Sequence, residues 1–362
     1  MNTSETKILS LDAGGTNLVF SGIEDGETIK EYAIKTASLD LEEFLKKLIF
    51  GFREVLNAIG GTADAISFCF PGPADYEAGI IGDLENLPFF RGGVPLKQML
   101  ENEFGIPTYI NNDGDLFTLG EAVAGLLPKT NLKLKEANNP KQYKNLLGLT
   151  LGTGFGGGLV SNSNLYIGDN SAGGEVNRLS NPFNSKNSVE EILSIRGIRR
   201  LYGKFAHCDE DNTPAPFEIY KIAKGQRKVN KEAAIEAWKY FGKVLGETIA
   251  NAVTISDSLV VIGGGLSGAY DMFLQTAVDT MNSKLEKVGG GSFQRLETYA
   301  YNLHNPQCLA DFVENESVQL KIPFSDETVN YFPVKKVGVG ISVLGTSQAV
   351  SKGAWEFALK NI

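Results

Sequence analysis

The sequence is short of the residues that disulfide and soft-metal chemistry need. Three cysteines, Cys69, Cys208 and Cys308, are scattered over 362 residues. That is too few for a disulfide framework and fits a reducing compartment. Only two histidines occur, His207 and His304; neither stands at a zinc spacing from a cysteine, and no Ser/His/Asp arrangement suggests itself. Positive charge is also scarce, since the net charge is −9 and no long basic run offers a footprint for phosphodiester backbones. No apolar stretch approaches the ~20 residues of a membrane helix, and the opening MNTSETK lacks a leader's apolar region. The expectation is a cytoplasmic protein with neither nucleic acid nor membrane as partner.

What is present reads as α/β. The chain exceeds what one core usually fills, so two lobes are expected. Three short runs, KILSLDA, NLVFSGIE and ETIKEYAIK, form a meander broken by Gly/Asp turns. Leu41, Phe44, Leu45, Leu48, Phe52 and Val55 then recur at helical spacing. DAISFCF follows as a doubly buried strand. A second helix leads to the strand IPTYIN. Residues 128–145, rich in Lys, Asn and Pro, read as a surface connection. A long helix around Trp238 and Phe241 precedes DSLVVIGGGLSG, VDTMNSKLEK reads as helical, and ISVLGTSQAVSKGAWEFALKNI closes the chain as a helix. Residues 1–115 are expected to form a smaller lobe, joined by the helix over about 348–362, and residues 116–347 a larger one.

Three glycine clusters follow apolar runs. In LTLGTGFGGGLV, residues 149–160, Gly152, Gly154 and Gly157 match G-x-G-x-x-G. A dinucleotide fold requires a helix next, yet GLVSNSNLYIG alternates like a strand or hairpin. A turn between strands still binds phosphate, because successive N–H groups form an anion nest. In LDAGGTN, Gly14 and Gly15 admit close backbone approach, and Thr16 and Asn17 offer donors. Asp12 would repel a bare phosphate but suits one that carries Mg²⁺. A ligand-free hairpin turn explains the same residues equally simply. The third cluster, Gly263, Gly265 and Gly268, keeps the G-x-G-x-x-G spacing between a strand and a helix and is the better dinucleotide mimic, though no strand-end acid for a ribose follows about 20 residues on. Strand, glycine turn, strand at both residue 8 and residue 147 hints at an internal duplication. Two lobes that each offer such a turn to a cleft describe an actin-like ATPase core better than a Rossmann one.

Acids follow in INNDGDLFTLGEA, where Asp113 and Asp115 are both helix N-cap candidates. If Asp115 caps the helix, Asp113 is left at a strand end to accept a hydroxyl proton, as phosphoryl transfer to an alcohol requires. Glu175 and Glu190, taken alone, read as a surface acid and a first-turn helix acid.

These residues, in this order over nearly the whole chain, resemble the ROK sugar kinases within the actin-like superfamily. LDAGGTN and LTLGTGFGGG resemble the phosphate motifs, VVIGGGLS the adenosine motif, and FPGPAD, ENLPFF and GIPTYINNDGDLFTLGEA the sugar-side segments. The resemblance implies a two-lobed actin-like ATPase (ribonuclease H-like) α/β fold with a mixed sheet in each lobe. It implies Asp113 as catalytic base, with Asn86, Asn112, Glu175 and Glu190 on sugar hydroxyls. Gly14, Gly15, Thr16, Asn17, Gly152, Thr153 and Gly154 would hold ATP phosphates, Gly263, Gly264 and Gly265 would border the adenosine, and Asp12 would hold Mg²⁺ through water. Many family members carry a zinc-binding His and a cysteine run; here Arg178 stands at the His position and no cysteine follows, so no structural zinc is expected. The implied activity is Mg-ATP-dependent phosphorylation of a hexose or N-acetylhexosamine by a homodimer. The alternatives are a sugar sensor without a DNA-binding module and, further off, a nicotinamide-dependent oxidoreductase.

Overall fold

Period-two burial builds the first sheet of the computed structural model, which describes residues 6–13, 16–38 and 40–362. In β1 (Lys7–Ala13), Leu9 and Leu11 face one core while Ile8, one position out of phase with them, packs on the other face with Trp355 and Ala358. β2 (Asn17–Glu24) and β3 (Glu27–Lys35) continue the meander antiparallel. α1 (Leu41–Ala58) starts where Asp40 accepts the Glu43 N–H at 2.9 Å, and it buries Phe44, Leu48, Phe52 and Val55. Each such side chain contributes ~1.5–3 kcal/mol on burial. β4 (Ala65–Cys69) follows, then a small sheet of β5 (Ala74–Asp75), β6 (Ile80–Ile81) and β7 (Val94–Pro95). α2 (Leu96–Phe104), β8 (Thr108–Asn111) and α3 (Asp113–Val123) come next. The main sheet has the order β3-β2-β1-β4-β8 and is parallel across β1, β4 and β8, hence mixed.

The helix Thr346–Asn361 belongs to this first unit, which comprises Met1–Gly125, Gly158–Gly174 and Leu344–Ile362. It crosses α3 backbone to backbone. A Cβ on Gly120 would run into the Ala349 carbonyl, and one on Gly353 into the Leu116 carbonyl. Glycine at both crossing points lets the C-terminal helix fix the position of α3, and with it the residues at the start of α3.

The second unit comprises Leu126–Gly157 and Glu175–Val343. It opens with α4 (Leu126–Glu136), so the surface connection expected over 128–145 is corrected: its first half is a helix that buries Leu127, Thr130 and Leu134 beneath its lysines. β9 (Leu146–Leu151) and the start of β10 (Phe155–Ser161) follow, with a strand directly after the Gly152–Gly154 turn as the alternation predicts; the rest of β10 and β11 (Asn164–Leu165) fall in the segment Gly158–Gly174 counted with the first unit. Short β12 (Ser180–Asn181) and β13 (Asn184–Ser188) lead to α5 (Ile195–Ala206), α6 (Pro216–Ala223) and the long α7 (Lys231–Ser256). β14 (Leu259–Gly263) is buried at every position. α8 (Tyr270–Met281) stops before the end of VDTMNSKLEK, a second correction, because Lys284–Glu286 pairs as β15 with β16 (Ser292–Gln294). β17 (Tyr299–Asn302), α9 (Pro306–Val313), the hairpin of β18 (Val318–Lys321) and β19 (Thr328–Tyr331), and β20 (Lys336–Ile341) complete it. The terminal stretch expected as one helix thus begins as the end of β20. The sheet order is β11-β10-β9-β14-β20-β17, parallel across β9, β14, β20 and β17. Both main sheets therefore place a strand-turn-strand unit beside parallel strands.

Candidate active site

In the first unit the polar residues gather at the carboxyl ends of the parallel strands, the customary place for ligands in α/β sheets. Asp12 stands one residue from the end of β1, exposed and without an ion pair among the described residues. Cys69 ends β4 and pairs with Asn111 at the end of β8. Burial drives the Cys69 thiol far above its usual range, and the nearby carboxylates of Asp113 and Asp12 add to the rise. The thiol therefore stays protonated and reports that both carboxylates lie near it. Thr16 and Asn17 are exposed at the start of β2, where the Thr16 carbonyl accepts the Thr36 N–H at 3.0 Å. Gly14 and Gly15 lie outside the described residues.

The cap of α3 differs from expectation. Neither Asp113 nor Asp115 fills that place; Asn112 does, its side chain accepting the Gly114 N–H at 2.8 Å. Asn112 lies two residues before the bonded amide, as N-cap geometry requires, whereas Asp115 already lies inside the first turn and is buried. Asn112 also donates to the Tyr76 hydroxyl at 3.4 Å, and that hydroxyl donates to the Phe70 carbonyl at 3.0 Å. Asp113 is the first helical residue and also accepts the Gly114 N–H, at 2.8 Å. Its side chain keeps a solvent-accessible face, yet the surrounding protein desolvates the carboxylate and raises it above the ordinary range. Backbone hydrogen bonds oppose the rise, and the like charge of Asp12 adds to it. A carboxylate held this way is a better proton acceptor than a solvated one. Asn86 is exposed in a bend between β6 and β7.

In the second unit the two glycine clusters come together. Gly263 in β14 pairs with Thr150 in β9, so the Gly152–Gly154 turn and the Gly263–Gly265 turn leave neighbouring parallel strands. The Gly152 N–H closes its turn on the Gly154 carbonyl at 2.9 Å, and the Phe155 N–H is taken by Glu190 Oε2 at 3.0 Å. The N–H groups of Thr153 and Gly154 have no partner among the described residues, which leaves two successive donors for an anion. Gly265 opens a short 3₁₀ helix, Gly265–Ala269, with the Ser267 hydroxyl donating to the Gly264 carbonyl at 2.7 Å.

Glu175 precedes a 3₁₀ turn, Val176–Arg178, and its side chain is exposed. Arg178 is exposed as well, and its guanidinium has no ion pair among the described residues. Glu190 is not a first-turn acid of a long helix: it sits in a 3₁₀ turn against the glycine turn. Sequence reasoning missed Cys69, Tyr76 and two buried amide ends, Asn111 Nδ2 and Asn177 Oδ1, that lack partners among the described residues. Their signal was adjacency: each asparagine lies within two residues of a carboxylate already singled out. Among the described residues no helix is long and apolar enough to cross a membrane, and no group of three or more His, Cys, Asp or Glu side chains is placed to hold a metal.

Comparison with known proteins gives three findings. The sequence profile described as the ROK family matches residues 8–300. A glucokinase of Parabacteroides distasonis, known as a crystal structure, is 42% identical to this chain, covers 100% of both chains and superposes with a TM-score of 0.91. An N-acetyl-D-glucosamine kinase of Vibrio cholerae is 28% identical over 284 residues, 73% of this chain and 85% of the relative. The same α/β fold with mixed sheets, that of the actin-like ATPases, is shared with a glucokinase from Streptomyces griseus in complex with glucose and AMPPNP, 16% identical, with a TM-score of 0.62 and coverage of 98% and 99%.

Proposed function

This chain belongs to the ROK family, and from that premise we propose that it transfers the γ-phosphoryl group of ATP to a hydroxyl of a hexose or N-acetylhexosamine. Asp113 takes the proton of the sugar hydroxyl, the 6-hydroxyl by family likeness, as that oxygen attacks phosphorus in line. The observation that carries this role is the desolvated carboxylate of Asp113 at the first position of α3. Asn112, oriented by its bonds to Gly114 and Tyr76, presents its amide beside the base. Asn86, Glu175 and Glu190 hold further sugar hydroxyls. The free N–H pair of Thr153 and Gly154 holds phosphate, with Thr16, Asn17 and, by family likeness, Gly14 and Gly15; Gly152 shapes the turn, and Gly263–Gly265 border the adenosine.

Nucleotide support comes from the Streptomyces griseus glucokinase, which holds an ATP analogue and glucose. Glucose is the first substrate to try, because the 42% identity to a glucokinase spans both chains completely. Mg²⁺ fits the residues present: Asp12 offers an exposed hard oxygen with no competing cation partner among the described residues. One or two protein carboxylates with phosphate oxygens and waters are the usual Mg²⁺ shell. Bound there, the ion would neutralise charge on the phosphates. We extend the proposal to a homodimer acting in the cytoplasm.

The test is ADP release over glucose, mannose, N-acetylglucosamine and N-acetylmannosamine, with Asp113→Ala alongside. At least one sugar should be turned over. The variant should lose ~10²–10⁴-fold in kcat, the range of general-base catalysis, while binding sugar within about threefold of the unaltered chain. Near-normal turnover removes Asp113 from the role, and sugar binding without ADP release by the unaltered chain makes the protein a sensor.

A further inference from the structure

The Gly152–Gly154 turn is gripped at both ends by one short segment. Ile195 donates its N–H to the Gly152 carbonyl at 2.9 Å, and Glu190 Oε2 accepts the Phe155 N–H at 3.0 Å. Nothing intervenes on the Glu190 side, since a Cβ at Gly154 would lie 3.0 Å from that same oxygen. The other oxygen, Oε1, faces the Arg196 guanidinium at 3.6 Å, a loose pair that Arg196 shares with Glu191 at 3.5 Å. A carboxylate has about four acceptor positions, so one grip on Phe155 leaves capacity for a hydroxyl donor. With Gly152 and Phe155 held, the N–H groups of Thr153 and Gly154 are presented as a fixed pair.

We propose that Glu190 is a positioning residue that couples the sugar to the nucleotide: the carboxylate that receives a sugar hydroxyl is the one that sets the phosphate-binding turn. This rests on the kinase reading above. Two consequences follow. Removing the carboxylate weakens nucleotide binding even with no sugar present, which a residue that only touches sugar cannot do. Sugar binding, by ordering the carboxylate against the turn, raises nucleotide affinity, and by linkage the nucleotide raises sugar affinity by the same factor.

The experiment is AMPPNP binding by calorimetry in MgCl₂, with and without saturating sugar, for the unaltered chain, Glu190→Ala and Glu190→Gln. Glu190→Ala loses the acceptor for Phe155 and should bind AMPPNP about tenfold more weakly without sugar, the equivalent of ~1.4 kcal/mol. In that variant sugar should no longer tighten AMPPNP. Glu190→Gln keeps an acceptor oxygen and should hold AMPPNP affinity within about threefold, while its KM for sugar rises; this arm also serves if the alanine variant does not fold. Unchanged AMPPNP affinity in Glu190→Ala, or tighter binding in both variants from loss of a negative charge near the phosphates, overturns the proposal and leaves the kinase reading intact. Failure of the unaltered chain to bind AMPPNP overturns both.

Discussion

Gly264→Ala measures how tightly the two glycine turns of the second unit are pressed together. Gly264 follows β14 with φ 84° and ψ 167°, a region essentially reserved for glycine, where another residue costs ~1–3 kcal/mol. A Cβ there would collide with the Leu151 carbonyl oxygen and stand 2.6 Å from Leu151 N and C. Leu151 ends β9, the strand bonded to β14, so the clash is with backbone that cannot rotate away. Such overpacking adds ~1–3 kcal/mol. The two costs act at the same atom and together destabilise the unit by ~2–6 kcal/mol. At ~2–4 °C per kcal/mol for a domain of this size, the melting temperature should fall by roughly 5–20 °C. Gly265 and Gly268 provide the control within the same loop, because neither has positive φ and a Cβ on either meets nothing within 4 Å. Alanine at those positions should shift melting by less than about 2 °C, inside the ordinary range for surface changes. Differential scanning calorimetry on the three variants decides it: a Gly264→Ala melt within about 2 °C of the unaltered protein, or equal losses at all three glycines, refutes the reasoning.

Two further perturbations act on the first unit. Although the Asp113 side chain is exposed, the protein around it desolvates the carboxylate and raises it, so the folded state binds its proton more tightly than the unfolded chain does. Stability from that proton is fully present below the ordinary carboxylate pKa of about 4 and is lost as pH rises through the raised value. Asp113→Asn should therefore melt higher than the unaltered chain at neutral pH, with the gap closing below about pH 4; an equal or lower melt at pH 7 would contradict the desolvation account. Gly353→Ala should cost ~1–3 kcal/mol by forcing the C-terminal helix off the Leu116 carbonyl. It should lower ADP release as well, because α3 carries Asp113 at its start; unchanged melting and turnover would show that the helices do not cross at contact distance.

Local periodicity made the main elements legible. Phe44, Leu48, Phe52 and Val55 mark α1 and are buried as their spacing requires, and the run DAISFCF becomes β4 with both faces covered. The alternation after Gly157 correctly excluded a helix there. Where composition replaced periodicity, the reading failed. α4 hides Leu127, Thr130 and Leu134 among lysines and asparagines, a narrow buried stripe that average polarity masks. Helical-looking Lys284–Glu286 became a strand because Gly289, Gly290 and Gly291, all at positive φ, turn the chain back onto Ser292–Gln294. The sequence offered Asp113 and Asp115 as caps of α3, and the backbone selects neither but the preceding Asn112. The contacts that matter most at the site, Glu190 to Phe155 and Gly264 to Leu151, join segments distant in sequence. No window of neighbouring residues encodes them.

Unsatisfied polar groups sharpen the case for ligands at the strand ends, though only when combined with position. Leaving a buried donor or acceptor without a partner costs ~1–3 kcal/mol, and Thr108 Oγ1, Trp238 Nε1 and Arg295 Nε incur that cost at places with no reacting group nearby. An open polar atom is therefore not by itself a mark of function. Asn111 Nδ2 differs because it shares its strand end with Cys69, whose thiol senses both Asp113 and Asp12. The N–H groups of Thr153 and Gly154 differ because the flanking amides, Gly152 and Phe155, are both committed, so the turn is built to stay open at those two donors. Taken by itself, the first unit carries the carboxylates of Asp12 and Asp113 near the Cys69 thiol, and the second carries two unpartnered backbone donors on one turn.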